Sequence, residues 1–110
     1  MSYREMNIKA VFFSKTSTFT ADAKYDVYGV NSSGGAVTVN LPAVGTVPAG
    51  KTYTIKDTGG QASSNNITLD ASGDQRIDGQ TTFVISTNGG AVTIISDGAA
   101  WSVLNKYVTS

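Results

Sequence analysis

The chain has 110 residues, 8 basic and 8 acidic side chains that cancel, 40% hydrophobic residues, and neither cysteine nor histidine. That length suits one domain with a modest core. Balanced charge excludes a broad nucleic-acid footprint, which needs clustered Lys and Arg, and no apolar run approaches the length of a bilayer span.

The missing residue types remove further chemistry. Without Cys or His there is no disulfide, no thiolate nucleophile, no Cys/His zinc site and no imidazole proton shuttle. No phosphate-binding glycine loop precedes a helix, so no cofactor is expected. Serines and lysines are plentiful, but nothing places a serine on a strand-to-helix elbow. An enzyme is not expected. Charged residues make up only 15% of the chain, against about 25% in an ordinary soluble domain. Such a surface fits strands that pack against other copies.

Met1 to Thr20 differs from the rest: it has no glycine and carries Arg4, Glu5, Lys9 and Lys15 around the apolar cluster Ala10-Val11-Phe12-Phe13. That cluster is too short for a signal-peptide core. Residues 1–20 are read as a strand of the main sheet or an arm that docks on a neighbour, and residues 21–110 as the β domain.

Strands follow from Tyr25 onward. Tyr25 to Val30 leads into the turn Asn31-Ser32-Ser33-Gly34-Gly35. Ala36 to Leu41 then alternates Val37, Val39 and Leu41 inward with Thr38 and Asn40 outward, until Pro42 stops it. After a loop through Pro48, Thr52 to Asp57 puts Tyr53 and Ile55 on its buried face. Asn66 to Asp70 is the next strand, followed by a short Gln75-Arg76-Ile77 piece. Thr82 to Ser86, Ala91 to Ser96 and Ala100 to Leu104 are separated by Asn88-Gly89-Gly90 and Asp97-Gly98. Asn-Gly and Asp-Gly are hairpin signals, so these last three strands are expected to form an antiparallel meander.

One phrase recurs: Val37-Thr38-Val39, Ile67-Thr68-Leu69 and Val92-Thr93-Ile94, with the threonines 30 and 25 residues apart. The spacing is too uneven for a solenoid of fixed repeat length. The phrases read as similar strands of one sheet system, their apolar residues forming the core. Strands every 8 to 12 residues or so, tight turns and no helical periodicity predict an all-β fold. The expected form is a compact antiparallel β-sandwich or barrel-like domain with a short N-terminal arm or strand.

Several side chains invite a site reading. Asp70, Asp74 and Asp78 could offer oxygens to a hard cation, but their spacing is not that of an EF-hand, and turn capping is the preferred role. Trp101 could stack on a sugar; a core position is preferred. Alternation puts Tyr25 and Tyr28 on opposite faces, which makes one of them a candidate subunit contact. Lys51 and Lys56 are read as a loop-edge and a solvated residue. The candidate partner-binding set is Tyr3, Arg4, Ile8, Val11, Phe12, Phe13, Tyr28 and Tyr107. No catalytic, cofactor-binding or metal-ligating residue is assigned.

From Tyr25 to Leu104, nearly three quarters of the chain, the sequence resembles a module of tailed-phage virion proteins such as tail fibres. The ordered series Val37-Thr38-Val39-Asn40-Leu41-Pro42, Ala49 to Asp57, Asn65-Asn66-Ile67-Thr68-Leu69, Ile77-Asp78-Gly79 and Val92 to Gly98 with Trp101 carries the resemblance. It implies an all-β, non-enzymatic and often trimeric module on the outside of a virus particle made in the bacterial cytoplasm. The expected role is a small capsid decoration (cement) protein that binds the major capsid or another virion protein as a homotrimer. The alternative is a receptor-binding module of a tail or head fibre. In that case the loops Gly45 to Gly50, Thr58 to Ser64 and Ala71 to Gln80 would recognise a host-surface glycan or protein. Neither nucleic acid nor membrane is an expected partner.

Overall fold

Residues 12–108 are described by a computed structural model. Among the described residues nine strands make two sheets: β1 (Phe12–Lys15), β2 (Phe19–Thr20), β3 (Val27–Val30), β4 (Val37–Asn40), β5 (Thr52–Asp57), β6 (Ile67–Asp70), β7 (Thr82–Ile85), β8 (Ala91–Ser96) and β9 (Trp101–Tyr107). One 3-10 turn, Val44–Thr46, interrupts the loop after β4. The larger sheet runs β1-β3-β5-β8-β9 and the smaller β2-β4-β6-β7.

The all-β, sandwich-like expectation holds, but strand direction departs from it. The first six strands wind as a coil, each pass laying one strand in the larger sheet and the next in the smaller. Successive passes stack in parallel: β1 on β3 on β5, and β2 on β4 on β6. Only β7, β8 and β9 pair antiparallel, with β6, β5 and β8 respectively. Both sheets are therefore mixed rather than antiparallel. In-and-out alternation is the same in either direction, so the apolar pattern cannot choose between them.

The recurrent phrase finds its meaning in this coil. Val37, Thr38 and Val39 lie directly beside Ile67, Thr68 and Leu69 in the smaller sheet. The third copy, Val92-Thr93-Ile94, belongs to the other sheet. The coil tolerates uneven spacing because loops of different length close each pass. The expected meander is also corrected: β7 and β8 lie in different sheets, so Asn88-Gly89-Gly90 is a corner between layers. Gly90 is needed there because a Cβ would stand 2.9 Å from the Thr87 carbonyl oxygen and 3.1 Å from that of Tyr107. Asp97-Gly98 does form the β8–β9 hairpin: Asp97 N–H donates to the Ala100 carbonyl at 3.1 Å, and Asp97 Oδ1 accepts the N–H groups of Ala99 and Ala100.

The inward residues of both sheets meet in one core. Val37, Val39, Ile67, Leu69, Val92 and Ile94 are all buried, as their alternation predicts, together with Val30, Ile55, Ile85 and Ile77. Each such side chain contributes about 1.5–3 kcal/mol relative to exposure. An aromatic row, Tyr28, Tyr53 and Trp101, runs along the core with neighbouring ring centroids 6.2 and 5.6 Å apart.

The topology also sorts the loops. The connections 21–26, 41–51, 71–81 and 97–100 gather at one end of the strands. Those at 16–18, 31–36, 58–66 and 86–90 gather at the other.

Candidate functional site

Among the described residues no enclosed pocket is present, and no group of three or more acidic residues could hold a metal ion. Asp78 accepts the Val103 N–H at 3.0 Å, and Asp70 sits at the end of β6 opposite Asn40 and Thr82. Trp101 is 1% exposed and belongs to the core. What the structure offers a partner is surface: edges, loop clusters and sheet faces.

The first edge is formed by β1 and β2, where the coil starts. Phe13 stacks on Tyr25 at 4.6 Å, and Phe19 packs against Tyr28 at 4.9 Å. Lys15 holds its ammonium over both phenylalanine rings, at 4.8 and 5.2 Å from their centroids. A cation over aromatic faces is attracted by the ring quadrupole. Here it also covers apolar surface at the edge of the described sheets. Phe13 remains 36% exposed.

Tyr28 leaves the list of partner contacts. It is 1% exposed, and its hydroxyl accepts the Asp22 N–H at 2.6 Å. Burial is the main cause raising its pKa, with the Asp22 hydrogen bond opposing. The expectation that Tyr25 and Tyr28 face opposite sides fails because Tyr25 precedes β3 and is free of its alternation. The two rings meet edge to face at 6.3 Å. Of the other candidates, Tyr3, Arg4, Ile8 and Val11 lie outside the described residues. Phe12 opens β1 opposite Val27. Tyr107, 59% exposed, ends β9 at the far edge of the same sheet. Phe13 and Tyr107 are thus held on opposite edges, not brought together.

Two polar clusters fix the loop ends. Lys51 sits at the loop edge directly before β5, and there it acts as a clamp. Its ammonium donates to the carbonyls of Ala23 (2.7 Å) and Tyr25 (3.1 Å) and to Asp26 Oδ1 (2.6 Å), above the Tyr53 ring. All three ammonium protons are used, tying the loop 21–26 to the start of β5. At the opposite end the buried Asp57 carboxylate accepts the N–H groups of Gly59, Gly60, Ala62 and Gly89. Burial pushes its pKa up, but those four donors outweigh it and hold the group below the usual carboxylate value. No sequence motif flagged the Lys51 clamp, because its partners lie in another loop; of the Asp57 donors, Gly59, Gly60 and Ala62 belong to the turn that follows it and Gly89 to a separate loop.

Lys56, read as solvated, donates to the Gly89 carbonyl at 2.5 Å. It stands on the outer face of the larger sheet, where β5 and β8 alternate half-buried with buried residues. There Thr54 and Thr93 share a hydroxyl hydrogen bond of 2.8 Å across the strands.

Residues 2–103 match the family described as Bacteriophage T4 gp9/10-like protein, N-terminal. The chain belongs to this family. The gp9/10-like proteins are bacteriophage structural proteins, so the resemblance to tailed-phage virion modules stands. The gp9/10-like module in this chain is accordingly a virion component. No curated protein matches the chain.

Proposed function

We propose that this protein is a non-catalytic attachment module on the outside of the phage particle, which binds assembled virion proteins as an oligomer and decorates the capsid. The observation that carries this reading is where the polar machinery is spent. The half-buried Lys51 and the buried Asp57 have every strong bond turned inward to close loops. What is left for a partner is charge-poor sheet surface and the aromatic β1/β2 edge. Such surface binds by area and complementarity, not by chemistry at a point. A protein that binds only the assembled shell stabilises it by mass action.

A second reading draws support from the loop cluster 41–51, 71–81 and 97–100, gathered at one end as recognition loops are. In that reading the module sits on a tail or head fibre and recognises a host-surface glycan or protein. Particles lacking the protein separate the two. Decoration predicts a loss of resistance to heat or chelation with adsorption to host cells retained. Unchanged particle resistance overturns decoration, and lost adsorption with it turns the assignment to the receptor module.

A further inference from the structure

The chain holds one Asn-Gly pair, Asn88-Gly89, at the corner between β7 and β8. A carboxamide followed by glycine is set up for ring closure. The next backbone nitrogen can reach the side-chain carbonyl carbon, and no Cβ stands in the way. The two Asp-Gly pairs, 78–79 and 97–98, offer that nitrogen a carboxylate, a far poorer electrophile. Asn88 is exposed, so water reaches it. The fold nevertheless occupies both reacting groups. Asn88 Oδ1 accepts the Ser63 N–H at 2.9 Å, which ties the carboxamide to loop 58–66. The Gly89 N–H, on the nitrogen that would attack, donates to Asp57 Oδ2 at 2.9 Å. The glycine is held from its other side too: its carbonyl accepts the Lys56 ammonium, and the Gly90 N–H donates to the Thr87 carbonyl at 2.8 Å.

We propose that Asn88 is a latent modification site, a deamidation site that the Asp57–Gly89 bond keeps closed for as long as the corner is folded. Ring closure needs the Gly89 nitrogen stripped of its proton. A buried carboxylate at hydrogen-bond distance opposes that, since an amide anion would stand beside a like charge where little water screens it. Nor can Asp57 take the proton itself. Against the upward push of burial, four backbone donors hold its carboxylate below the usual value, which leaves it far too weak a base for an amide. Once the corner opens, the bond from Gly89 N to Asn88 Cγ forms, the Cγ–Nδ2 bond breaks, and ammonia leaves with the amide proton. Water then adds to the cyclic imide. Attack at Cγ restores the main chain with an aspartate side chain. Attack at the Asn88 backbone carbonyl carbon gives isoaspartate, whose main chain is longer by a carbon. A longer chain does not fit a corner in which even a Cβ at Gly90 would stand 2.9 Å from the Thr87 carbonyl oxygen. The isoaspartate form therefore cannot regain this corner.

The test follows Asn88 in the full chain, kept in mildly alkaline buffer, by peptide mapping with mass spectrometry and an isoaspartate assay. The folded chain should convert at least about tenfold more slowly than the same chain unfolded in guanidinium chloride, because conversion waits on opening of the corner. Asp57→Asn removes the charge and should raise the rate in the folded protein at least about tenfold. Lys51→Met weakens the opposite end of the fold and should leave the rate within about twofold of wild type. Circular dichroism checks folding. If Asp57→Asn does not fold, hydrogen exchange of the wild-type Gly89 N–H takes its place, and exchange as fast as that of an unprotected amide overturns the proposal. A folded chain that deamidates as fast as the unfolded one overturns it, as does an unchanged rate in folded Asp57→Asn. Equal acceleration by Lys51→Met also overturns it, because protection then belongs to the whole fold and not to this bond.

Discussion

Asp57 Oδ2 accepts the N–H of Gly89 at 2.9 Å, joining the end of β5 to the corner where the chain passes from the smaller sheet to the larger. With Gly59, Gly60 and Ala62 donating to the same carboxylate, one side chain sets two loops against each other. Asp57→Ala strands four donors and should cost about 3 kcal/mol, read as a lower urea midpoint with unchanged slope.

The pH dependence of the same group has a definite sign. Its folded pKa lies below the ordinary 3.8, so the stability it adds is complete above that value and is lost as pH falls through the folded one. Thermal melts should show wild type losing stability below about pH 4 more steeply than Asp57→Asn does. Parallel profiles for the two proteins would refute the assignment.

The Lys51 clamp should be sensitive to the loss of its ammonium. Lys51→Met leaves two carbonyls and the Asp26 carboxylate without their donor. Because Asp26 is 38% exposed on its side chain, water compensates in part, and the expected loss is about 2 kcal/mol, below the full cost of breaking a buried pair. Lys51→Arg should not restore it, since a planar fork cannot replace a compact three-donor head. Chemical denaturation of both variants is the check.

Two tyrosines in one row should respond oppositely to losing a hydroxyl. Tyr53 is fully buried and its Oη has no hydrogen-bond partner among the described residues, while burial, first, raises its pKa. Tyr53→Phe should therefore be neutral or stabilise by up to about 1 kcal/mol. Tyr28→Phe removes the acceptor of the Asp22 N–H and should cost about 1 kcal/mol. Equal effects would show that the two hydroxyls share one environment.

Glycine substitutions should rank by what the new methyl group meets. At Gly34 there is nothing within 4 Å, and alanine is expected to be neutral or slightly stabilising. At Gly59 the methyl meets the Asn31 side chain, which can swing away at the cost of its bond to Ser33 N–H. At Gly90 it meets backbone carbonyls that cannot. Melting temperatures should fall in the order Gly34→Ala, Gly59→Ala, Gly90→Ala, with roughly 1–3 kcal/mol for the last.

Much of this structure is legible in the sequence. The period-two runs Val37 to Leu41, Thr52 to Asp57 and Ala91 to Ser96 give strands and their buried faces, because burial acts directly on alternation. Partnering is not legible there. Asn88-Gly89 supplies the backbone freedom of a hairpin turn, and Gly89 does adopt φ 75°, yet the turn changes sheets because Ile85 pairs with Ile67 and Ala91 with Lys56. Those pairings depend on long-range registers that no local signal carries. The Lys51 clamp escapes for the same reason: its acceptors lie 25 to 28 positions earlier. The Thr54–Thr93 hydroxyl pair escapes likewise, since only the sheet order makes the two residues neighbours.

β1 and β9 both run from the end bearing loops 21–26 and 41–51 toward the end bearing loops 31–36 and 58–66. A segment joined ahead of β1 and another joined behind β9 leave from opposite poles. Tension between them lies along the strand axes, across ladders whose hydrogen bonds are perpendicular or slanted to the pull. Such a load shears many bonds at once instead of unzipping them one by one. A domain wired in this way shares the force across whole ladders at once, as a rivet does.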